Sequence, residues 1–144
     1  MLTTTWAAAQ DALQAAGDLS GKVLIDATNP IGPGMVLTHG TTDSGAEQVA
    51  RWTPGARVVN AFNRIGMEVM ANPVFANGRS VLWNCGDDSA ACDVVASLAR
   101  DIRFDPICLA PLARARVLEP SALRWITGSG VMGMRAFSWR VLRR

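Results

Sequence analysis

Residues 22–34, Lys-Val-Leu-Ile-Asp-Ala-Thr-Asn-Pro-Ile-Gly-Pro-Gly, constrain this chain more than any other stretch. Val23, Leu24 and Ile25 form a short, largely β-branched apolar run. Gly17 and Gly21 punctuate the chain before it, and Asn29-Pro30 and Gly32-Pro33-Gly34 punctuate it after. A run this short between turn residues predicts a buried strand rather than a helix. Strands buried on both faces belong mostly to parallel sheets covered by helices. Such sheets bind ligands outside the carboxyl ends of their strands. Asp26, Ala27, Thr28 and Asn29 occupy that end and are small and polar, so a flat ligand could approach the backbone. A tight strand-to-loop turn without a ligand explains the same residues.

The rest of the chain alternates strand and helix signals. Alanine-rich residues 6–16 end at Gly17, which reads as a helix with a glycine stop. Ser44 and Glu47 have capping-box spacing at the head of a helix over 45–52, which Thr53-Pro54-Gly55 terminates. Residues 35–43 read as loop. Arg57–Phe62 is a second strand, followed by a short helix to Ala71, and Ser80–Cys85 is a third strand. Gly86-Asp87-Asp88 caps a helix over 89–101 whose Ala91, Val94, Val95 and Leu98 are expected to face the core. Asp105–Ala110 is a fourth strand, with Pro106 at its start or on a sheet edge. Residues 112–144 read as helices, interrupted near Pro120 and near Gly128–Gly133. The pattern predicts an α/β fold with a mainly parallel sheet of about four strands, flanking helices and a helical C-terminus. That is short of the usual six or so strands of a dinucleotide-binding fold.

With 144 residues, 49% of them hydrophobic, the chain is the size of one domain. No basic start or apolar core suggests a signal peptide at Met1. Arg124 and Arg135 interrupt the late apolar region well short of the roughly 20 residues a membrane helix needs. Cys85, Cys92 and Cys108 are odd in number and lack a Cys-x-x-Cys, which argues against a disulfide framework and for a reducing, cytoplasmic setting. Cys85 and Cys108 read as buried small hydrophobes. The lone histidine, His39, has no second metal ligand at useful spacing.

Nine arginines and three acids lie from Arg100 onward, against five basic residues and nine acids before it. A solvated helix face accounts for that charge. Nucleic-acid binding is disfavoured, because Trp125, Phe137 and Trp139 lie in helix-like stretches rather than on a stacking platform of strands. Gly128-Ser129-Gly130-Val131-Met132-Gly133 spells G-x-G-x-x-G. The chain ends eleven residues later with no acid after Glu119, so the motif lacks its second strand and ribose-binding acid. It reads as a glycine-weakened helix joint.

Five segments occur in an order that resembles the coenzyme F420-dependent NADP oxidoreductase family, which includes NADPH-dependent dinucleotide-binding reductases. They are 23–32 (Val-Leu-Ile-Asp-Ala-Thr-Asn-Pro-Ile-Gly), 42–47 (Thr-Asp-Ser-Gly-Ala-Glu), 56–63 (Ala-Arg-Val-Val-Asn-Ala-Phe-Asn), 85–88 (Cys-Gly-Asp-Asp) and 118–120 (Leu-Glu-Pro). The resemblance runs from Trp6 to Arg144. It implies a Rossmann-like fold and a hydride passed between NADP(H) and coenzyme F420 or another flavin-like acceptor. It also implies that Thr28, Asn29, Pro30 and Ile31, with Ala61, Phe62 and Asn63, line the cofactor at two strand ends. Ordinary turn chemistry, with Phe62 in the core, is the alternative for the same residues.

The resembled pattern differs from this chain in three ways. Its opening βαβαβ, with the glycine-rich phosphate turn, precedes Trp6, so residues 1–144 read as one N-terminally truncated NAD(P)-binding domain. Its Lys-Ala-Phe-Asn-Thr is Asn60-Ala61-Phe62-Asn63-Arg64 here. Its continuous late helix is glycine-rich over 127–133 in this chain. The resemblance implies an oxidoreductase, impaired if the phosphate-binding half is missing. A non-catalytic half-domain is the alternative. The strand over 23–27 would expose an apolar edge, open to a second copy or to the missing half.

Overall fold

The strand expected from the opening stretch forms over Val23–Asp26, in a computed structural model that describes residues 1–142. In chain order the elements are α1 (Trp6–Ala16), β1 (Val23–Asp26), β2 (Ile31–Gly32), β3 (Val36–Leu37), α2 (Gly45–Trp52), β4 (Arg57–Asn60), α3 (Met67–Ala71), β5 (Val74–Phe75), β6 (Gly78–Arg79), β7 (Val81–Gly86), α4 (Ser89–Asp101), β8 (Asp105–Cys108), α5 (Ala115–Leu118) and α6 (Pro120–Met132). The main sheet has the order β1-β4-β7-β8. β1 runs parallel to β4, and β7 parallel to β8. β4 and β7 are antiparallel, pairing Val59 with Gly86 and Asn60 with Cys85. Parallel neighbours need a long crossover, usually a helix. Between β4 and β7 the chain instead forms the five-residue α3 and the β5–β6 hairpin. A five-residue helix rises only about 7.5 Å, so β7 starts at the end of the sheet where β4 stops. The carboxyl ends of β1 and β4 therefore lie beside Cys85, late in β7, and the amino ends of β7 and β8 project beyond them.

Two apolar layers hold the sheet. Leu24, Val58 and Cys85 pack on one face with Leu13 of α1, Val49 of α2 and Leu118 of α5. Val59 and Leu82 pack on the other with Val95 of α4 and Phe104. Within α4 the buried positions are Ala91, Cys92, Val95, Ala96 and Ala99. Val94 and Leu98, expected inward, are each 47% exposed. Small side chains let this helix approach the sheet closely, and that sets its rotation. Gly86 sits at the tightest approach: a Cβ there would lie 2.9 Å from the Val58 carbonyl oxygen and 3.0 Å from Cys92 Sγ. Gly86→Ala is expected to destabilise the fold by about 2 kcal/mol through overpacking, read as a lower midpoint of thermal unfolding. An unchanged midpoint would show that the contact relaxes freely.

Several expectations are corrected. Cys85 and Cys92 are buried, but Cys108 is exposed because β8 is the sheet's outer strand. Residues 35–43 are not wholly loop, since β3 pairs with β2. The glycine run ends the helix only at its last residue: α6 continues through Gly128 and Gly130 to Met132, and Gly133 caps it in the left-handed region at φ 62°. Near Pro120 the break is slight, because Glu119 keeps helical dihedrals (φ −60°, ψ −41°) and proline suits a first helical turn. The helix expected to 144 stops at Met132. Residues 134–142 fold back irregularly, with the Val81 N–H donating to the Trp139 carbonyl at 3.2 Å. Residues 143 and 144 lie outside the described residues.

The edge of β1 is not wholly bare. The Leu2 N–H donates to the Ile25 carbonyl at 2.8 Å, and the Ala27 N–H donates to the Leu2 carbonyl at 3.0 Å. Leu2 thus covers the carboxyl end of β1. The Val23 end has no second strand among the described residues. Among those residues, no helix is long and apolar enough to cross a membrane.

Candidate functional site

The rim is built from two strand ends tied to each other. Asp26, fully buried, accepts from the Thr28 N–H at 2.9 Å and from Thr28 Oγ1 at 2.7 Å through its Oδ1. This Asx-type turn bends the chain sharply out of β1. Asn29 and Asn63 then clasp: Asn29 Nδ2 donates to the Asn63 carbonyl at 2.8 Å, and Asn63 Nδ2 donates to Asn29 Oδ1 at 3.2 Å and to the Thr28 carbonyl at 3.3 Å. Phe62 lies in the left-handed region at φ 69°. That conformation is rare for a bulky residue, and the surrounding structure must hold it in place. Its ring meets Phe104 edge-on, with centroids 6.1 Å apart.

The seven sequence-derived candidates therefore gather at one rim. Thr28, Pro30, Ala61, Phe62 and Asn63 are buried, while Asn29 and Ile31 are half-buried. A ligand on this rim would meet the Asn29 and Ile31 side chains and otherwise mostly backbone. The turn residues also hold one another, so their hydrogen bonds alone do not demand a ligand.

Sequence reasoning left the charged layer beneath the rim undescribed. Asn60 Nδ2 donates to Asp26 Oδ2 at 3.2 Å, and Asn60 Oδ1 accepts from Arg64 Nη1 at 2.9 Å. Arg64 also donates to Asn63 Oδ1 and to the Trp83 carbonyl. Burial lowers the Arg64 guanidinium to about 10, opposed by the negative potential of Cys85, Glu119 and Asp26. Burial also raises Asp26, against hydrogen bonds from Thr28 and Asn60 and the charge of Arg64. The two departures at 60 and 64 are thus one coupled change. The resembled pattern's lysine is Asn60 and its threonine is Arg64, and the cation that reaches Asp26 does so through Asn60. The signal was an arginine two residues after a strand-end phenylalanine, beside Asn60 and Asn63.

Glu119 is the second such residue. Its Oε2 accepts from the Gly45 N–H and its Oε1 from the Ala46 N–H, both at 2.9 Å. The carboxyl group is 1% exposed, and burial lifts it to about 7 although the two amides favour its charged form. Helix N-termini bind anions, and the N-terminus of α2 is already filled by this side chain. Ser44 and Glu47 complete the cap as expected, with Ser44 Oγ accepting from the Glu47 N–H at 3.2 Å and donating to Glu47 Oε2 at 2.7 Å. Arg116 pairs with Glu47 at 2.5 Å, which joins α5 to α2.

A cleft of 270 Å³ opens beside Phe62, lined among others by Arg64, Trp83, Leu109, Arg124 and Trp139. Its walls are mainly aromatic and aliphatic, and Arg124 stacks 4.3 Å from the centroid of the Trp139 ring. Among the described residues no group of three or more His, Cys, Asp or Glu could hold a metal ion. His39 instead packs edge-on against Trp6 at 5.3 Å.

An α/β sheet whose strand ends form a polar clasp beside an apolar cleft has the frame of a Rossmann-like domain. No family profile matches the chain. Over 98% of its length it superposes on the crystal structure of a protein named provisionally as an F420-dependent NADP-reductase from Arthrobacter sp. FB24, with a TM-score of 0.91, 34% identity and 68% of that chain covered. A hypothetical protein from Sinorhizobium meliloti is 31% identical at a TM-score of 0.73, over 79% of this chain and 57% of that one. Metalloreductase STEAP3 of Rattus norvegicus is 39% identical over 110 residues, 76% of this chain and 22% of the relative. Metalloreductase STEAP2 of Homo sapiens is 31% identical over 109 residues, 76% of this chain and 21% of the relative. The chain spans about a fifth of the length of these curated relatives. The chain belongs to the coenzyme F420-dependent NADP oxidoreductase family, a family of NADP-dependent reductases.

Proposed function

We propose that residues 1–144 carry the hydride-transfer end of an NADP(H)-dependent oxidoreductase, as one nucleotide-binding domain in a cytoplasmic setting. Thr28, Asn29, Pro30 and Ile31, with Ala61, Phe62 and Asn63, line the nicotinamide. A deazaflavin such as coenzyme F420, or a flavin, is the acceptor. The reciprocal Asn29–Asn63 clasp beside the Phe62 cleft supports this reading most directly. When bound, NADPH supplies a hydride, two electrons and a proton, to the acceptor ring, and water supplies any further proton. The chain's own part is positioning. The Asp26–Thr28 turn and the Asn29–Asn63 clasp fix the distance between strand ends, and the apolar cleft keeps water from the ring faces. No side chain is required as acid or base.

The nicotinamide half of the cofactor fits this rim better than the phosphate half. The α2 N-terminus, which would suit a pyrophosphate, already holds Glu119. Residues 1–144 are therefore expected to bind reduced nicotinamide mononucleotide and NADPH with similar, weak affinity. Titration by NMR checks both points. Either ligand should shift the amide signals of Thr28, Asn29, Ile31, Ala61, Phe62 and Asn63. Shifts confined to other residues would overturn the site, and micromolar binding of NADPH in calorimetry would overturn the weak phosphate grip.

A second reading is favoured by the edge of β1, which Leu2 covers at one end only. A second copy, or a separate phosphate-binding half, docks there by strand addition. Light scattering on the size-exclusion peak decides this: a monodisperse monomer that recruits nothing counts against it.

A further inference from the structure

Beyond the strand-end rim, at the amino end of β8, lies a feature that hydride transfer does not use. Arg79 at the end of β6, Arg100 in the last turn of α4 and Arg140 in the returning C-terminal segment line one groove of 550 Å³ with Asp105. No ion pair reaches these three arginines among the described residues. The groove is therefore strongly cationic, with a single acid on its wall. Phe104, 1% exposed, also lines it. The exposed Arg140 packs against the chain at Gly78. Gly78 has φ 138°, and a Cβ there would lie 2.9 Å from Arg140 Cζ, so the guanidinium rests against a backbone that has no side chain.

A recess lies between the groove and the cleft beside Phe62. Trp139 lines that cleft and also a middle recess of 320 Å³, which Gly78, Arg79 and Arg140 line too. An aromatic slot, the recess and a cationic groove are thus neighbours on the surface. A ligand matched to them has a flat ring at one end and an anion at the other. Guanidinium groups recognise phosphate oxygens through charge-assisted, often bidentate hydrogen bonds.

We propose that the Arg79–Arg100–Arg140 groove binds the phosphate of the hydride acceptor while its ring occupies the Phe62–Trp83–Trp139 cleft. The inference rests on the hydride-transfer reading above and adds where the acceptor's charged tail lies. The test uses residues 1–144 and three probes at low ionic strength: FMN, riboflavin and NADP+. Binding is followed by quenching of flavin fluorescence. FMN is expected to bind about tenfold more tightly than riboflavin, the gain from one well-made charged contact. The preference should fade as salt is added. It should also vanish in the Arg79→Gln/Arg100→Gln double variant, whose changed side chains are exposed. Arg114→Gln, also exposed but outside the groove, should retain it.

Equal binding of both flavins would overturn the groove assignment and leave the hydride-transfer reading standing. A preference that survives the double variant would overturn it too. Loss of the FMN preference at saturating NADP+ would hand the groove to the dinucleotide and overturn its assignment to the acceptor. If neither flavin binds, the acceptor class fails and the groove assignment fails with it.

Discussion

Glu119→Ala is expected to lower stability by about 3 kcal/mol. Two amides of the first turn of α2, from Gly45 and Ala46, lose the carboxylate that accepts from them. Each unsatisfied buried donor costs about 1–3 kcal/mol. The midpoint of thermal unfolding should fall by about 10 °C for a chain of this size. A fall of about 2 °C or less would mean that water replaces the carboxylate, contrary to this account. Glu119→Gln carries a pH signature as well. The folded-state value, about 7, lies above the ordinary carboxyl value of 4.5. The folded chain keeps this proton where the unfolded chain has released it. The contribution is therefore full below about pH 4.5, declines as pH rises, and is lost above about pH 7. Asp26, raised by burial, acts with the same sign. Glu47, held low by Arg116, acts in the opposite sense only as pH falls below its ordinary range. Stability should thus decline between about pH 4.5 and pH 7, and Glu119→Gln should flatten much of that decline.

Arg64→Met is expected to cost about 3 kcal/mol or more and to loosen the proposed cofactor rim. Removing the guanidinium strips donors from Asn60 Oδ1, Asn63 Oδ1 and the Trp83 carbonyl. It also leaves Asp26 without the nearby cation. Breaking a buried charged network by taking one partner is among the costlier single changes. Asn63 is held on one side by Arg64 and on the other by Asn29 and the Thr28 carbonyl, so the damage should reach the clasp. Two measurements check this. Chemical denaturation should show the loss of stability. NMR titration of reduced nicotinamide mononucleotide should lose the Asn63 shift while the protein is still folded. A stable variant with the shift intact would show that Arg64 plays no part in positioning.

Much of this was legible beforehand because local signals and tertiary demands agreed. The capping pair Ser44 and Glu47, the glycine stop at Gly17 and the turn after Ile25 each act within a few residues of chain. Strand ends also betray themselves, since Asp26-Ala27-Thr28-Asn29 and Ala61-Phe62-Asn63 interrupt apolar runs with turn-forming residues. The direction of β7 was not legible. It depends on α3 being too short to recross the sheet, and length alone does not tell a crossover from a hairpin. Val94 and Leu98 misled for a related reason: the larger apolar residues suggested the inward face, but close packing on Gly86 selected the alanines.

The amino-acid sequence by itself determined where the strands and helices of this protein lie and which strand ends could meet a ligand, because hydrogen-bonding turns and apolar period are local properties. Only the tertiary structure decided that Asp26, Asn60, Arg64 and Asn63 form one buried network, that Glu119 fills the N-terminus of α2, and that Arg79, Arg100 and Arg140 share a groove. Those residues are far apart in the chain, and their chemistry arises from desolvation and proximity, which exist only once the sheet and its helices have closed around them.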